Sequence, residues 1–407
     1  MKCRGCSAEL RLPLIDLGTA PPSNAYLRRE QLDQAESWVP LRALVCEHCW
    51  LVQTEDYRAA DSLFDAEYAY FSSFSSTWLA HAERYVAQMV ERFALTPDCR
   101  VVEVAANDGY LLQYVAQRGI PCLGIEPTAS TARAAREKGL QIRELFFGRE
   151  TAQALREEGW AADLMAANNV LAHVPDINDF LQGFAGLLKP TGVATFEFPH
   201  LLCLMAESQF DTLYHEHYSY LSLTAVRAQL ERNGLRLFDV EQLPTHGGSL
   251  RIYVQREEGR QPVSAAVAEL LAQEAAIGIC SADYYASLAP AAERIKHDLL
   301  RFLLKAKAEG KRVVGYGAAA KGNTLLNYAG VRGDLLAWVA DANPHKQGKF
   351  MPGSRIPIVA PERIAEERPD YVLILPWNLR GEVMQQQAII KSWNGHFVVA
   401  VPHLELH

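Results

Sequence analysis

The sequence predicts an α/β protein, a small cysteine-rich unit followed by two Rossmann-like units. Three observations carry this. At residues 101–118 an apolar β-branched run, a polar turn (Asn107-Asp108-Gly109) and a helical pattern follow one another, the first βα step of a doubly wound sheet. The same order recurs at 313–322, Val-Val-Gly-Tyr-Gly-Ala-Ala-Ala-Lys-Gly. Ahead of both stand two C-x-x-C pairs, Cys3 with Cys6 and Cys46 with Cys49. At 407 residues there is room for two or three domains. We expect boundaries at 1–57, 58–95 (a helical connector), 96–258, 259–310 (a helical bridge) and 311–407.

A net charge of −8 with no long basic run argues against a nucleic-acid partner. No run of 18 apolar residues exists, so no membrane-spanning helix is expected. The start, Met-Lys-Cys-Arg-Gly-Cys, is unlike a secretory signal, and the expected location is the cytoplasm. In a reducing compartment paired C-x-x-C spacing points to metal or redox chemistry. Two matched knuckles supply four thiolates for a tetrahedral structural zinc. A unit this short buries too little core to stand alone, which is where a structural metal helps. His48, inside the second knuckle, is not expected to be a ligand.

The connector opens on an aromatic cluster, Tyr68-Ala-Tyr70-Phe71, and a serine-rich turn, then turns amphipathic from Trp78 to Phe93. Phe71 and Phe74 read as core; Tyr68 and Tyr70 read as reaching a ligand.

In the first Rossmann-like unit, strands are expected at 101–105, 122–125, 164–168, 193–198 and 250–255, with helices at 110–118, 130–138, 149–157 and 176–187. Its first loop departs from the dinucleotide pattern. A pyrophosphate wants G-x-G-x-x-G at a helix N-terminus, whereas here one glycine, Gly109, stands with two carboxylates, Glu103 and Asp108. Acidic groups repel phosphate and suit a cation. The next strand ends in Glu126, where a carboxylate can take two ribose hydroxyls. A nucleoside bearing a positive group and no phosphate fits both facts, and S-adenosylmethionine (AdoMet) is such a molecule. Its expected wall is Glu103, Ala105, Asn107, Asp108, Gly109, Tyr110, Leu111, Glu126 and Pro127, with Asn168 and Asn169 at the end of the fourth strand. His173 follows there, either a site residue or a packed histidine.

Tyr214-His215-Glu216-His217-Tyr218 is the most unusual local chemistry. Two histidines at i and i+2 share one face if the segment is extended. As a metal site the pair lacks further ligands nearby. As acid–base chemistry it is well suited, since histidine accepts and releases protons near neutral pH, and an adjacent glutamate would orient it. His246-Gly247-Gly248-Ser249-Leu250-Arg251 reads equally as a ligand loop, with Arg251 gripping an anion, or as a hairpin turn.

The second Rossmann-like unit carries Gly315-x-Gly317-x-x-Ala320, with Asp341 after the next strand. Read alone, that suggests NAD, and an NAD-dependent oxidoreductase is the competing reading. Lys321 and Lys346 add cations suited to a diphosphate, and Asn378 lies past the strand end at 371–375.

Taken together, the paired C-x-x-C, V-E-V-A-A-N-D-G-Y-L-L-Q, Y-H-E-H-Y-S-Y, H-G-G-S-L-R and G-Y-G-A-A-A-K-G-N resemble the sugar C-methyltransferases. These act on nucleotide-linked keto-deoxysugars destined for branched sugars. The resemblance covers almost the whole chain, in the same order. Ala105-Ala106 departs from it, standing where many methyltransferases carry glycine. The resemblance implies a zinc-binding N-terminal domain, a class I AdoMet domain and a C-terminal Rossmann-like domain, with the sugar nucleotide between the last two. It implies that His217 is the base, with Tyr214 and Glu216 as its neighbours and His173 and Tyr70 as further pocket residues. The sugar nucleotide is then expected against Tyr68, His246, Gly247, Ser249, Arg251, Tyr316, Lys321, Asn323, Asp341, Lys346 and Asn378. The chemistry expected is removal of a proton α to a 4-keto group of a dTDP-sugar, at C3. Tyr214, His173 or a neighbour would steady the enolate oxygen, an effect worth about 3–4 kcal/mol. The expected assembly is a monomer or weak dimer.

Overall fold

The computed structural model describes residues 1–56 and 71–407. Tyr68 and Tyr70 lie outside the described residues.

The N-terminal unit holds β1 (Leu12–Ala20), β2 (Val39–Val45) and β3 (Val52–Thr54), paired antiparallel. Its knuckles are built alike. Ser7 N–H bonds Cys3 O and Trp50 N–H bonds Cys46 O, and both Ser7 and Trp50 turn the chain with a left-handed backbone.

The second unit contains β4 (Val101–Val104), β5 (Cys122–Ile125), β6 (Ile142–Arg143), β7 (Ala162–Asn168), β8 (Leu188–Pro199), β9 (Ser219–Tyr220), β10 (Leu235–Leu243) and β11 (Ser249–Arg256). Seven form one sheet in the order β10-β11-β8-β7-β4-β5-β6. From β8 through β6 the pairs are parallel; β11 and β10 join antiparallel. β4 is buried along its whole length, as parallel strands covered on both faces must be. Each large side chain so buried contributes about 1.5–3 kcal/mol. β9 leaves this sheet and pairs antiparallel with β3, so the N-terminal sheet takes its fourth strand from the second unit.

The third unit holds β12 (Val313–Tyr316), β13 (Val339–Ala340), β14 (Ile358–Val359), β15 (Tyr371–Ile374), β16 (His396–Val399) and β17 (Glu405–Leu406), in the order β14-β13-β12-β15-β16-β17. Only β17 is antiparallel.

Helix Ser76–Arg92 starts where the Ser75 side chain accepts the Trp78 N–H, a cap worth about 1 kcal/mol. It buries Ala82, Tyr85, Val86 and Met89 against the sheet's first helical layer. Helix Ile177–Leu187 is capped by Asp176 and ends as Lys189-Pro190-Thr191-Gly192 anticipates, but the chain runs straight on into β8. The strand expected just before Asp341 is only β13, because the Leu335 and Leu336 N–H groups turn back onto Arg332 O. β10 carries no clean alternation and is missing from the sequence reading; β6 is two residues long, too short for a pattern.

Candidate active site

The carboxyl ends of β4, β5 and β7 and of β12, β13 and β15 open onto one shared cavity of about 1600 Å³. The first set of strands brings Ala105, Asn107, Tyr110, Glu126, Pro127, Asn168 and Asn169 to its wall. Ala105 and Asn107 both sit at positive φ, 56° and 50°, so the turn is left-handed without glycine there. Gly109, φ 77°, has no room for a Cβ against Leu140. Glu126 accepts the N–H groups of Asn107 and Thr128 at 2.9 and 3.0 Å. Burial pushes its carboxyl above the usual range.

Glu103, Asp108, Gly109 and Leu111 do not line the cavity. Glu103 is buried in β4, and burial pushes its carboxyl well up. Asp108 is held by the Ser73 hydroxyl and by Lys138 Nζ at 3.3 Å. Those two carboxylates shape the loop from behind instead of facing a cation directly. Leu145, Phe146, Phe147 and Trp78 are on the wall without having been anticipated. They follow the short β6 or lie on a helix whose pattern reads as core.

AdoMet fits this lobe. Asn168 Oδ1 and Nδ2 and Asn169 Oδ1 are buried without a hydrogen-bond partner among the described residues, and buried polar groups call for partners. A nucleoside with an amino-acid tail would supply such partners.

The Tyr214–His217 turn lies where the three units meet, with Thr54, Pro40 and Thr324 bonded to it or to the residue before it. The Tyr214–His217 segment is a reverse turn, closed by His217 N–H to Tyr214 O at 2.9 Å. The two histidines therefore diverge, contrary to the extended segment expected. His215 Nε2 faces Pro40 O at 3.1 Å, while His217 faces the cavity. His217 Nδ1 lies 3.0 Å from Thr212 O, and a carbonyl only accepts, so Nδ1 carries the proton. Nε2 is left as the basic atom and accepts from the Tyr214 hydroxyl at 2.7 Å. Burial first, then the nearby His173, hold the His217 pKa well below its ordinary value.

Glu216 does not orient His217, a second correction. Its carboxylate turns away and accepts from Asn24 N–H and Nδ2, each at 3.2 Å, because neighbouring residues of a turn point to different sides. The orienting acceptor is a backbone carbonyl. Glu216 O does accept from His173 Nδ1 at 2.8 Å, and burial pulls the His173 pKa down to about 4. His173 is thus neutral at pH 7, its ring edge-on to His217 at 4.5 Å.

His246, at φ 54°, accepts from Asn169 Nδ2 at 3.2 Å and lines the cavity. Burial, then Lys321, pull its pKa to about 4. Its loop is a hairpin turn, residues 244–248 joining β10 to β11. Gly247 carries φ 90° and lies against Trp377. Gly247 and Ser249 do not line the cavity; the Ser249 hydroxyl bonds Thr245 O at 2.9 Å. Arg251 reaches the wall but is 3% exposed and paired with Glu197 at 3.0 Å and Glu241 at 3.2 Å. Burial would raise the Glu197 carboxyl, but His81 and Arg251 outweigh it and hold it low. Arg251 is engaged by carboxylates of its own sheet, so its charge is not available to grip a substrate anion.

From the third unit come Tyr316, Lys321, Asp341, Lys346 and Asn378. Asn323 is elsewhere, donating to Ser23 O at 2.5 Å. Asp341 accepts the N–H of Ala318 at 2.7 Å and of Asn343 at 2.8 Å. Asp341 thus also braces its own loop, as Glu126 does in the first lobe.

The four expected cysteines converge. Cys3 and Cys49 Sγ are 3.5 Å apart, as are Cys6 and Cys46, and all four lie within 4.8 Å. Zn–S bonds of about 2.3 Å in a tetrahedron separate sulfurs by roughly 3.8 Å, so the cluster is consistent with zinc. Four thiolates close the coordination shell.

Among the described residues no helix is long and apolar enough to cross a membrane. Residues 3–64 match the family model described as "Putative zinc binding domain", 78–240 one described as "Methyltransferase domain", and 244–402 one described as "C-methyltransferase C-terminal domain". The chain is 34% identical over 401 residues to C-methyltransferase NovU of Streptomyces niveus, covering 98% of this chain and 95% of that protein. A ubiquinone biosynthesis O-methyltransferase of Chelativorans sp. (strain BNC1) is 31% identical over 95 residues, 23% of this chain and 38% of that one. A magnesium protoporphyrin IX methyltransferase structure from Synechocystis PCC 6803, with bound SAM, aligns with 44% of this chain and 79% of its own at 17% identity and TM-score 0.34. The chain belongs to the C-methyltransferase family with an N-terminal zinc-binding domain, and it is an AdoMet-dependent C-methyltransferase.

Proposed function

We propose that the substrate is a dTDP-linked 4-keto-deoxysugar, methylated at C3 in the cytoplasm on the way to a branched sugar. The observation that carries this reading is the His217–Tyr214 pair on the wall of a cavity that two Rossmann-like units share. A C-methyltransferase must make a carbon nucleophilic, and a carbon beside a ketone becomes so when a positioned base takes its proton. His217 is neutral, with a defined basic atom, Nε2. It takes the C3 proton directly or across the Tyr214 hydroxyl bonded to it. The Thr212 carbonyl steadies the imidazolium that forms. When bound against Asn107, Glu126, Asn168 and Asn169, AdoMet supplies an electron-poor sulfonium methyl for that carbon. The cavity walls keep two reactants in register, the orientation effect that bimolecular transfer needs most. Tyr316, Asp341, Lys346 and Asn378 are the proposed contacts for the nucleotide end of the sugar.

The test is incubation with AdoMet and a panel of dTDP-4-keto-deoxysugars, followed by mass spectrometry and NMR. The expected product is 14 mass units heavier, with the new methyl on C3 and S-adenosylhomocysteine formed alongside. A methyl on C5 or on oxygen, or a preference for a substrate without a ketone, would overturn the reading.

A further inference from the structure

We propose that Lys321 holds the negative charge that develops on the substrate's C4 oxygen while His217 removes the C3 proton. The proposal rests on the keto-sugar reading above and adds a catalytic residue to it.

By sequence Lys321 suits a diphosphate; its setting argues otherwise. It lies in the first turn of helix Ala320–Ala329, on the cavity wall. Its ammonium donates to Asn378 Oδ1 at 2.7 Å and stands 4.2 Å over the Trp377 ring. Trp377 Nε1 donates to Asp211 Oδ2 at 2.8 Å, and Asp211 is fully buried. The residue after Asp211 is Thr212, whose carbonyl holds His217 Nδ1. The cation is thus tied, through one ring and one carboxylate, to the support of the base itself.

An inventory of donors leads to the same residue. An enolate oxygen needs a donor near the base. Tyr214 directs its hydroxyl proton at His217 Nε2, and neutral His173 directs its N–H at Glu216 O. His246 accepts from Asn169 through Nε2, and its remaining Nδ1–H is a neutral donor that carries no charge to set against an enolate. Lys321 has three N–H groups, and one hydrogen bond is made among the described residues. Burial pulls its pKa to about 8, with Asp211 acting against that, and Asp211 is itself pushed up to about 6. A cation this buried gains most when a negative charge forms directly against it.

The step balances. The C3–H bond breaks and its proton goes to His217. The electron pair forms the C3–C4 double bond, and the carbonyl π pair moves to oxygen, against the ammonium. When C3 takes the methyl, the S–CH3 bond breaks onto sulfur and the carbonyl re-forms.

The titratable groups facing Lys321 are Asp211 from the 210–212 turn, His217 from the catalytic turn and His246 from the hairpin. All three titrate below it, so a limb near pH 8 belongs to the lysine. The ammonium is the active form: the rate is full below about pH 8 and falls above it.

The test uses the full-length protein with AdoMet and the keto-sugar nucleotide that the panel identifies. Lys321→Met should lower kcat by about 100-fold or more, with KM for the sugar nucleotide and Kd for AdoMet within about threefold. Lys321→Arg should recover part of kcat and move the alkaline limb up. A tenfold rise in KM at unchanged kcat would return the lysine to the diphosphate and overturn the proposal. So would an alkaline limb that Lys321→Arg leaves in place. A wild-type protein that makes no S-adenosylhomocysteine with any keto sugar sinks the substrate reading itself, a result distinct from either.

Discussion

The Thr54 hydroxyl donates to the backbone carbonyl of His217 at 2.8 Å. Thr54 stands at the end of β3, five residues past Cys49, and its N–H also bonds Tyr218 O at 3.1 Å. From the other side Asn24 holds Glu216. The cysteine unit therefore holds Glu216, His217 and Tyr218 in place.

Thr54→Val keeps the shape and removes the donor. A buried carbonyl left unpaired costs about 1–3 kcal/mol. Urea denaturation should show that loss, and kcat should fall while the Kd for AdoMet stays put. Full kcat in the variant would show that this contact does not position His217.

Removing the metal should act through the same contact. Chelation with a zinc-selective agent is expected to lower the melting temperature and methyl transfer together, and added zinc should restore both. Activity that survives complete loss of zinc by elemental analysis would detach the knuckles from the catalytic turn.

His217→Ala is expected to bind AdoMet as the wild type does, by calorimetry, and to lose about 10²–10⁴-fold in methyl transfer. Unchanged turnover would remove His217 from the role of base.

Glu197→Gln should destabilise the protein by about 3–5 kcal/mol, because Arg251 would be left charged and buried with Glu241 as its remaining carboxylate. Glu197→Leu combined with Arg251→Met should cost less than either change alone. A single variant with an unaltered denaturation midpoint would show that the pair carries little.

His173 makes a prediction about pH. Its folded pKa is about 4, below the ordinary histidine value. The unfolded chain thus binds the extra proton as pH falls through about 6.5, and stability drops with it. Between pH 7 and pH 5 this one group accounts for about 2 kcal/mol of lost stability. His173→Gln, which can still donate to Glu216 O, should flatten the slope by that amount in denaturation curves at the two pH values. An identical slope would place the group's titration elsewhere.

Much of the fold was legible. Hydrophobic runs of four to seven residues bounded by Gly, Pro or Asn located β4, β5, β7, β8, β12 and β15, because parallel strands are covered on both faces and read as unbroken apolar stretches; β11, antiparallel but buried over all but its last residue, read the same way. The four cysteines were legible because thiolate spacing is a local property of a knuckle. Strand ends placed Asn107, Glu126, Asn168 and Asn169 on the cavity. What failed was anything that depends on which way a neighbouring residue points. Glu216, next to His217, faces Asn24, and Arg251, next to a glycine-rich turn, faces its own sheet.

The sequence by itself determined the α/β class with its three units, the cysteine cluster and the methyltransferase lobe. Tertiary structure alone decided that β9 would pair with a strand that ends 165 residues earlier, that Thr212 and not Glu216 would hold the His217 ring, and that Lys321 would bond Asn378 on the cavity wall. The reason is physical: strands and knuckles are set by short-range periodicity, whereas a buried side chain takes its partner and its proton from whatever distant segments close around it.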